Sequence, residues 1–225
     1  MRRLIAIGDI HGHRLKLETL LDTIQPTSDD QLVFLGDYVD RGPDSRGVID
    51  KLLSFQEEFP HTVFLRGNHE QLLLDALIEK GIRTGPTLRD LSAWYRQTAK
   101  GTDVQLFIAN GGDKTMDSYR WEWNLPSGHI AFLEGSMPWW RYAEFLFVHA
   151  GCLNVEPEEL DPWVLLWSRF CGPGTDGEIQ VVGHTPLENE YPKLEQGKYW
   201  LDTGCAYDGP LSACDVLTME IWQAR

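Results

Sequence analysis

The sequence predicts an α/β (α+β) fold in which two sheets, each backed by helices, form a sandwich. Two observations support this prediction. Short apolar, β-rich runs alternate with helical patterns over the first 80 residues, and strand-like runs return in the last third of the chain. At 225 residues the length allows one or two domains, and we expect a single domain over residues 1–225.

The first 80 residues contain three strand-then-helix units. The expected strands are Leu4–Ile7, Gln31–Phe34 and Thr62–Leu65, and the expected helices are Arg14–Ile24, Ser45–Phe55 and Gln71–Lys80. Each helix carries apolar residues at helical spacing, and Pro26 and Gly81 follow two of them as stop signals. Repeated βα units predict a parallel sheet with right-handed crossovers.

Residues 81–141 lack this rhythm, and we interpret them as a cap-like segment inserted between the two halves of the sandwich. One helix is expected over residues 88–99. Five of the nine tryptophans belong to this segment: Trp94, Trp121, Trp123, Trp139 and Trp140. Most of them should form its core, although one or two could contact a substrate, because tryptophan is common at recognition surfaces.

Strands are expected again in the C-terminal third, at residues 145–149, 179–183, 198–202 and 214–221. Gly- and Pro-rich loops join them, which favours a more antiparallel half. The four cysteines, Cys152, Cys171, Cys205 and Cys214, form no CxxC pair, so we expect reduced core residues and no zinc ribbon.

Composition and charge exclude several classes of protein. The formal net charge of −14 argues against binding to nucleic-acid duplexes, which requires a basic surface. The chain contains no apolar run of about 18 residues, the length of a membrane-spanning helix. Only four apolar residues lie between Arg3 and Gly8, too few for a signal peptide. We therefore expect a cytoplasmic protein with no membrane partner.

Five strand-like runs are followed at once by potential metal ligands. The stretch around which the chain is organised is Leu35-Gly36-Asp37-Tyr38-Val39-Asp40-Arg41-Gly42, a strand-to-helix loop at the sheet edge where α/β proteins bind ligands. Taken alone, this stretch could equally be a surface turn with acidic caps. Because the same pattern follows five strand-like runs, we favour a metal site. Its candidate ligands are Asp9, His11, Asp37, Asn68, His149 and His184.

This set of oxygen and imidazole ligands suits manganese, iron, zinc, nickel or cobalt better than copper(I) or an iron–sulfur cluster. Six side chains are too many for one ion with an open position, but they suit two. Asp9, His11 and Asp37 would hold one ion, and Asp37 would share the other with Asn68, His149 and His184. A shared carboxylate holds ions roughly 3.5–4 Å apart, and bound water becomes hydroxide near neutral pH, able to attack phosphorus in line. Two cations would also attract an anionic substrate to an acidic protein.

The remaining polar residues of these loops suggest catalytic and substrate-binding roles. His69 is next to ligand Asn68 and is a candidate general acid, with Asp40 holding its imidazole in the useful tautomer. Arg41 and Arg169 are candidates for binding phosphoryl oxygens, because guanidinium matches their geometry. Asn68 is a further substrate-binding candidate. For Arg169 an ordinary surface arginine is the competing interpretation.

Three blocks resemble the signature motifs of the calcineurin-like metallophosphoesterases. They are Gly8-Asp9-Ile10-His11-Gly12, Gly36-Asp37-Tyr38-Val39-Asp40-Arg41-Gly42 and Arg66-Gly67-Asn68-His69-Glu70. His149-Ala150-Gly151 and Gly183-His184-Thr185 resemble two later blocks of the phosphoprotein phosphatase branch. The resemblance implies a four-layer αββα sandwich, two metal ions that are commonly manganese, and hydrolysis of phosphomonoesters. It also implies the roles given above, including that of Arg169, which matches the Arg after a Trp in bacterial and phage enzymes.

Two branches of this family compete. The Val-Asp-Arg-Gly and Asn-His-Glu forms resemble bacterial and phage-lambda-like serine/threonine protein phosphatases, with phosphotyrosine as another substrate. Residues Leu201–Cys205, followed by Gly209-Pro210-Leu211, resemble the C-terminal block of diadenosine tetraphosphate hydrolases, which usually lack the Asp equivalent to Asp40. A third hypothesis is an inactive site that only binds phosphorylated partners, but all six ligands, Asp40 and His69 are present.

Overall fold

The first 80 residues form the parallel βα series expected from the sequence. The computed structural model describes residues 3–151, 155–169 and 177–225. Its first elements are β1 (Leu4–Ile7), α1 (Arg14–Ile24), β2 (Gln31–Phe34), α2 (Ser45–Glu58), β3 (Val63–Phe64) and α3 (Asn68–Glu79). Strands β1, β2 and β3 pair in parallel. The predicted parallel sheet is therefore confirmed.

Capping side chains explain where two of these helices begin. Asp44 precedes α2, and its carboxylate accepts the N–H of Gly47 at 2.8 Å. Helix α3 begins at Asn68, three residues earlier than expected, because Glu70 accepts the N–H of Gly67 at 2.9 Å and so closes the first turn. Asn68 and His69 consequently lie in the first turn of a helix, where their backbone is fixed.

The segment from residue 81 to Gly135 is helical. Its elements are α4 (Leu88–Leu91), α5 (Ala93–Thr98), α6 (Asp103–Phe107), a π-helical turn (Ile108–Gly112), α7 (Asp113–Ser118) and α8 (Ser127–Gly135). The single helix expected over residues 88–99 was wrong, because Ser92 is extended and its side chain accepts the N–H of Tyr95 as the N-cap of α5. That 81–141 forms one cap-like insertion stays a prediction.

The tryptophans of this stretch fall into three environments. Trp123 packs against the main core, whereas Trp94 and Trp121 are about half exposed. Trp94 also packs on Trp163, with ring centroids 3.9 Å apart. Trp139 and Trp140 lie outside the helical part, on an edge strand of the second sheet.

The second sheet has the order β4-β5-β6-β8-β7. Its strands are β4 (Trp139–Tyr142), β5 (Phe145–Val148), β6 (Ile179–Val182), β7 (Lys193–Glu195) and β8 (Lys198–Trp200), and α9 (Pro162–Trp167) follows β5. The expectation of a more antiparallel half was only partly right. The three central strands β5, β6 and β8 pair in parallel, and only the two edge strands are antiparallel.

The strand expected at residues 214–221 is instead a hairpin of β9 (Leu211–Asp215) and β10 (Glu220–Ala224). The buried Asp215 forms the turn, because its carboxylate accepts the N–H of Leu217 and the hydroxyl of Thr218. Strand β9 pairs with β1, so the first sheet has the order β10-β9-β1-β2-β3. Strands β9 and β10 therefore complete the first sheet, beside β1.

Alternating side chains divide the sheets between apolar layers. Leu4, Ala6 and Val33 face a core shared with residues of the second sheet such as Phe147 and Val181, whereas intervening residues pack under the helices of the first sheet. Leu165 of α9 packs on the outer face of the second sheet. The layers are therefore helices, sheet, sheet and helix, which confirms the predicted four-layer sandwich.

Cys205 and Cys214 are buried and form no disulfide, as expected. Cys152 and Cys171 lie outside the described residues. Over the parts of the chain that the structure describes, no helix has the length and apolar character needed to cross a membrane.

Candidate metal centre and active site

The loops after β1, β2, β3, β5 and β6 bring all six predicted ligands to one edge of the sandwich. Parallel strands place their carboxyl ends on the same side, so this convergence follows from the topology. Five non-glycine residues of these loops have left-handed backbone conformations, namely His11, Asp37, Asp40, Arg41 and His184. Such conformations are costly and are typical of functional sites where the surrounding structure enforces them.

The two carboxylate oxygens of Asp37 face different groups of histidines. Oδ2 lies 3.4 Å from His11 Nε2 and 3.9 Å from His69 Nε2. Oδ1 lies 3.4 Å from His149 Nε2. His11, Asp37 and His69 form one group able to hold a metal ion, and Asp37, His149 and His184 form another. Asp37 is the residue common to both, as a bridging ligand would be.

Backbone carbonyls orient the imidazoles of His11 and His149. Nδ1 of His11 lies 3.0 Å from the carbonyl of Val39, and Nδ1 of His149 lies 2.8 Å from that of Leu35. Each Nδ1 must carry its proton to make such a bond, so in the neutral ring the lone pair is on Nε2, which faces Asp37. This is the tautomer that ligates a metal through Nε2.

Asn68 and Asp9 both contact the second group. Asn68 Oδ1 lies 3.0 Å from both His149 Nε2 and His184 Nδ1. Asp9 Oδ2 accepts the N–H of His184 at 3.0 Å. A Cβ on Gly183 would collide with Asp9 Oδ1, so glycine is needed for this approach. The six predicted ligands thus lie near one another, but the first group able to hold a metal ion contains His69 and not Asp9, which was predicted for that ion. The assignment of Asp9 to an ion stays a prediction.

Burial and mutual proximity shift the pKa values of these groups strongly. Burial and the neighbouring Asp202 raise the pKa of Asp9 well above its usual value. Burial also raises the pKa of Asp202 to about 6. Burial alone would lower the pKa of His149, but Asp37 outweighs it and raises that pKa to about 10. Burial and the proximity of His149 lower the pKa of His184 to about 3.

The residues present fit a pair of divalent cations. Three buried polar atoms on residues of this cluster, Asp9 Oδ1, His69 Nε2 and His184 Nε2, are among those with no hydrogen-bond partner in the described residues. Buried polar atoms are rarely left unpaired, which suggests a ligand the protein itself does not supply. Several buried carboxylates also crowd together, and cations would neutralise them. The mixed oxygen and imidazole donors suit first-row divalent metals.

Asp40 and His69 form a buried pair next to this cluster. Asp40 Oδ2 lies 2.7 Å from His69 Nδ1, and both side chains are inaccessible to solvent. Burial raises the pKa of Asp40 well above its usual value, and burial lowers the pKa of His69 to about 4. Both shifts disfavour separated charges, so the pair is most stable as a neutral unit that shares a proton.

The two predicted phosphoryl-binding arginines lie at different sides of the cluster. Arg41 Nη1 lies 3.0 Å from His11 Nε2, and its guanidinium packs over the exposed ring of Tyr207, 5.4 Å from the centroid. Arg169 is exposed and follows α9, and its positive charge contributes to the lowered pKa of His184. Arg41 is therefore near the first metal group and Arg169 near the second.

Two supporting residues were missed in the sequence. Glu70 accepts the N–H groups of Asp37 at 2.8 Å and Tyr38 at 2.7 Å, so one buried carboxylate fixes the loop that carries Asp37. Its position beside His69 in a signature block was a usable signal. Thr115 donates to Asp40 from 75 residues away, and no local pattern pointed to it.

Comparison with known proteins defines the class. Residues 2–209 match the calcineurin-like phosphoesterase family, so the chain belongs to this family. It is 28% identical to serine/threonine-protein phosphatase 1 of Salmonella typhimurium, over 94% of this chain and 90% of the relative. It is 26% identical to the symmetrical bis(5'-nucleosyl)-tetraphosphatase of Wigglesworthia glossinidia brevipalpis, over 92% and 93% of the two chains.

Solved structures share the fold. One, described provisionally as a diadenosine tetraphosphatase, is 21% identical with a TM-score of 0.68, over 99% of this chain and 92% of that one. The cold-active protein-tyrosine phosphatase of a Shewanella species is 16% identical with a TM-score of 0.64, over 100% and 81%. At these identities the likeness concerns the fold alone. It agrees with the four-layer sandwich and does not decide between substrates.

Proposed function

We propose that this protein is a metal-dependent phosphatase that hydrolyses phosphomonoesters on the serine and threonine residues of proteins, with phosphotyrosine as a further substrate. The main support for this proposal is the buried Asp40–His69 pair. Nδ1 of His69 contacts Asp40, and its other ring nitrogen, Nε2, faces the carboxylate of Asp37, 3.9 Å away. The full-length similarity to a serine/threonine phosphatase supports it. Diadenosine tetraphosphate hydrolases usually lack the residue equivalent to Asp40.

Two divalent ions, manganese as the first candidate and iron, zinc, nickel or cobalt as others, would fit the cluster. Asp9, His11 and Asp37 would hold one ion, and Asp37, Asn68, His149 and His184 the other. Bound there, they would neutralise phosphoryl charge and acidify a water molecule. His69 Nε2 faces the same carboxylate oxygen as His11 does, so His69 is a competing ligand of the first ion.

In our proposal His69 protonates the leaving oxygen. If the shared proton resides on Asp40, Nδ1 of His69 accepts it, and the other ring proton must be on Nε2. If the shared proton resides on Nδ1 of a protonated ring, Nε2 still carries a proton. Both arrangements contain the same number of protons, so in either one Nε2 can donate a proton toward the cluster.

Arg41 and Arg169 would bind phosphoryl oxygens from two sides. Arg41 now contacts His11 Nε2, a nitrogen assigned to an ion, so we expect its guanidinium to turn from that nitrogen to the phosphoryl group. A guanidinium offers paired donors that match phosphoryl oxygens. Asn68 Oδ1 faces the imidazoles, which leaves its amide N–H groups to contact the substrate.

Hydrolysis of dinucleoside polyphosphates is the alternative function. It is supported by the similarity to a symmetrical tetraphosphatase over 92% of this chain. The C-terminal block that resembles those enzymes contains Asp202, which is buried beside Asp9 and raises the pKa of that ligand. The chemistry would be the same, and only the leaving group would differ.

The decisive experiment compares rates on a phosphoserine peptide and on diadenosine tetraphosphate, side by side with manganese present. We expect the peptide to have the higher kcat/KM. A preference for the dinucleotide would replace our first assignment with the alternative. Binding of the peptide without turnover of either compound would indicate an inactive phosphopeptide-binding site. The cytoplasmic location and the lack of binding to nucleic-acid duplexes stay predictions, to be checked by cell fractionation and by gel-shift assay.

A further inference from the structure

We propose that Thr115 is a positioning residue for the reaction. It lies on α7 of the helical segment from residue 81 to Gly135, which we interpret as an insertion and call the inserted segment. Its hydroxyl fixes the carboxylate of Asp40, and Asp40 in turn holds His69 with Nε2 directed toward the metal cluster. This inference rests on the proposed function, in which His69 is the proton donor. It assigns the inserted segment a part in building the active site.

The first observation is that both oxygens of Asp40 are held. Thr115 Oγ1 donates to Asp40 Oδ1 at 2.6 Å, and Asp40 Oδ2 lies 2.7 Å from His69 Nδ1. A carboxylate held at one oxygen can rotate about its Cβ–Cγ bond, because that torsion is broad. The second hydrogen bond removes this freedom and so defines the plane in which His69 is bound.

The second observation concerns the backbone of Asp40. Its N–H donates to Thr115 Oγ1 at 2.8 Å and to Ser45 Oγ at 3.0 Å, and the two hydroxyl oxygens lie 2.9 Å apart. Since the hydroxyl proton of Thr115 is used on Asp40, Ser45 must be the donor in that last contact. Asp40, Ser45 and Thr115 are all inaccessible to solvent, so bulk water does not compete for these bonds.

The third observation is that the inserted segment also holds the next residue. The N–H of Arg41 donates to the carbonyl of Gly111 at 3.1 Å. A Cβ on Gly111 would lie 2.8 Å from Arg41 Cγ, and the φ of Gly111 is +101°. Asp40 and Arg41 have φ values of +72° and +67°, which are costly for non-glycine residues. Bonds from the inserted segment therefore stabilise two consecutive strained residues that flank the reaction site.

Loss of this positioning should affect proton donation more than substrate binding. A poorly held His69 would still permit binding of the phosphoryl group, so KM should change little while kcat falls. The effect should grow with the basicity of the leaving group, because a basic leaving oxygen needs the proton and p-nitrophenolate hardly does. A purely structural role of Thr115 would lower the rates of all esters by the same factor.

The matched variants are Thr115→Ser and Thr115→Ala, which differ from each other by one oxygen atom. With manganese, both are assayed on phenyl phosphate and on p-nitrophenyl phosphate. We expect T115S to keep kcat within about threefold of the wild type. For T115A we expect roughly 10- to 100-fold loss of kcat on phenyl phosphate and a clearly smaller loss on p-nitrophenyl phosphate. Equal rates for the two variants, or equal losses on the two esters, would overturn the proposal.

Two controls keep the outcomes separate. In a His69→Asn background, T115A should cause no further loss of kcat, and a further loss would show that Thr115 does not act through His69. If T115A is unfolded at the assay temperature, Thr115→Val keeps the side-chain volume and answers the same question. Lack of any wild-type turnover of both esters and of the phosphoserine peptide would refute the proposed function and this inference together, whereas wild-type turnover with equal variant rates would refute only the role of Thr115.

Discussion

Asp37 Oδ1 lies 3.4 Å from His149 Nε2, and this contact joins groups carried by two different sheets. Asp37 follows β2 of the first sheet, and His149 follows β5 of the second. The other oxygen of Asp37 faces His11, back in the first sheet. The carboxylate of Asp37 thus contacts candidate metal ligands from both halves of the sandwich, and the predictions about the metal site depend on these contacts.

The substitution Asp37→Asn should remove the bridge. We expect both manganese ions to bind more weakly, because the amide lacks the charge and one of the two acceptor oxygens, and we expect hydrolysis of p-nitrophenyl phosphate to fall by roughly 1,000-fold or more. Calorimetric titration with manganese measures the stoichiometry. Retention of two tightly bound ions by this variant would contradict the bridging role of Asp37.

The substitution His69→Asn separates proton donation from metal binding. We expect kcat to fall by roughly 100- to 10,000-fold, the usual contribution of a positioned general acid, with two manganese ions still bound. The same titration decides between the roles, because loss of one ion would identify His69 as a ligand. Near-full activity would exclude it as the general acid. His61, an exposed histidine before β3, offers the matched control His61→Asn, which should behave like the wild type.

The substitution Gly67→Ala should disturb the metal site without straining the backbone. Gly67 has φ −88° and ψ 171°, which alanine adopts readily, but the added Cβ would collide with the backbone nitrogen and Oδ1 of Asp37. We expect manganese affinity to fall by about 10- to 100-fold, as when groups that orient ligands are changed. Gly135→Ala is the control, because its Cβ would meet nothing within 4 Å, and unchanged affinity in both variants would refute this prediction.

The pair of Asp30 and Arg3 predicts a pH-dependent contribution to stability far from the site. Arg3 donates to both oxygens of Asp30, at 2.6 and 3.0 Å. Burial alone would raise the pKa of Asp30, but the bonds from Arg3 and Thr27 outweigh it and lower that pKa to about 2. Because the folded-state pKa is depressed, the stabilisation is present above the ordinary pKa near 4 and is lost as pH falls toward 2.

We therefore expect Asp30→Asn to lower the free energy of unfolding by about 2 kcal/mol at pH 7, and by progressively less below pH 4. Urea unfolding of metal-free protein between pH 7 and pH 3 measures the difference. The neighbouring Asp29 is exposed, and Asp29→Asn should have no comparable effect. A loss for Asp30→Asn that stays constant down to pH 3 would show that the hydrogen bonds, and not the charge, stabilise the fold.

Local sequence patterns were sufficient for much of the fold and for the candidate ligands. The apolar run Leu4–Ile7 and the polar residues just after it are adjacent in the chain. Short-range periodicity therefore predicts the strand, and the rule that parallel strands end on one edge predicts where the polar residues lie. Patterns failed where a single side chain redirected the backbone. Ser92 caps a new helix inside a helical pattern, and Asp215 turns an apolar run into a hairpin.

The sequence alone determined which residue types gather at the strand ends, and hence the family and its metal chemistry, because those residues are neighbours of the strands that carry them. The folded structure was needed to show which oxygen of Asp37 faces which histidine, and that Thr115 contacts Asp40 across 75 residues. Contacts of that kind depend on how separate elements pack, and packing is a property of the whole core that no short stretch of sequence contains.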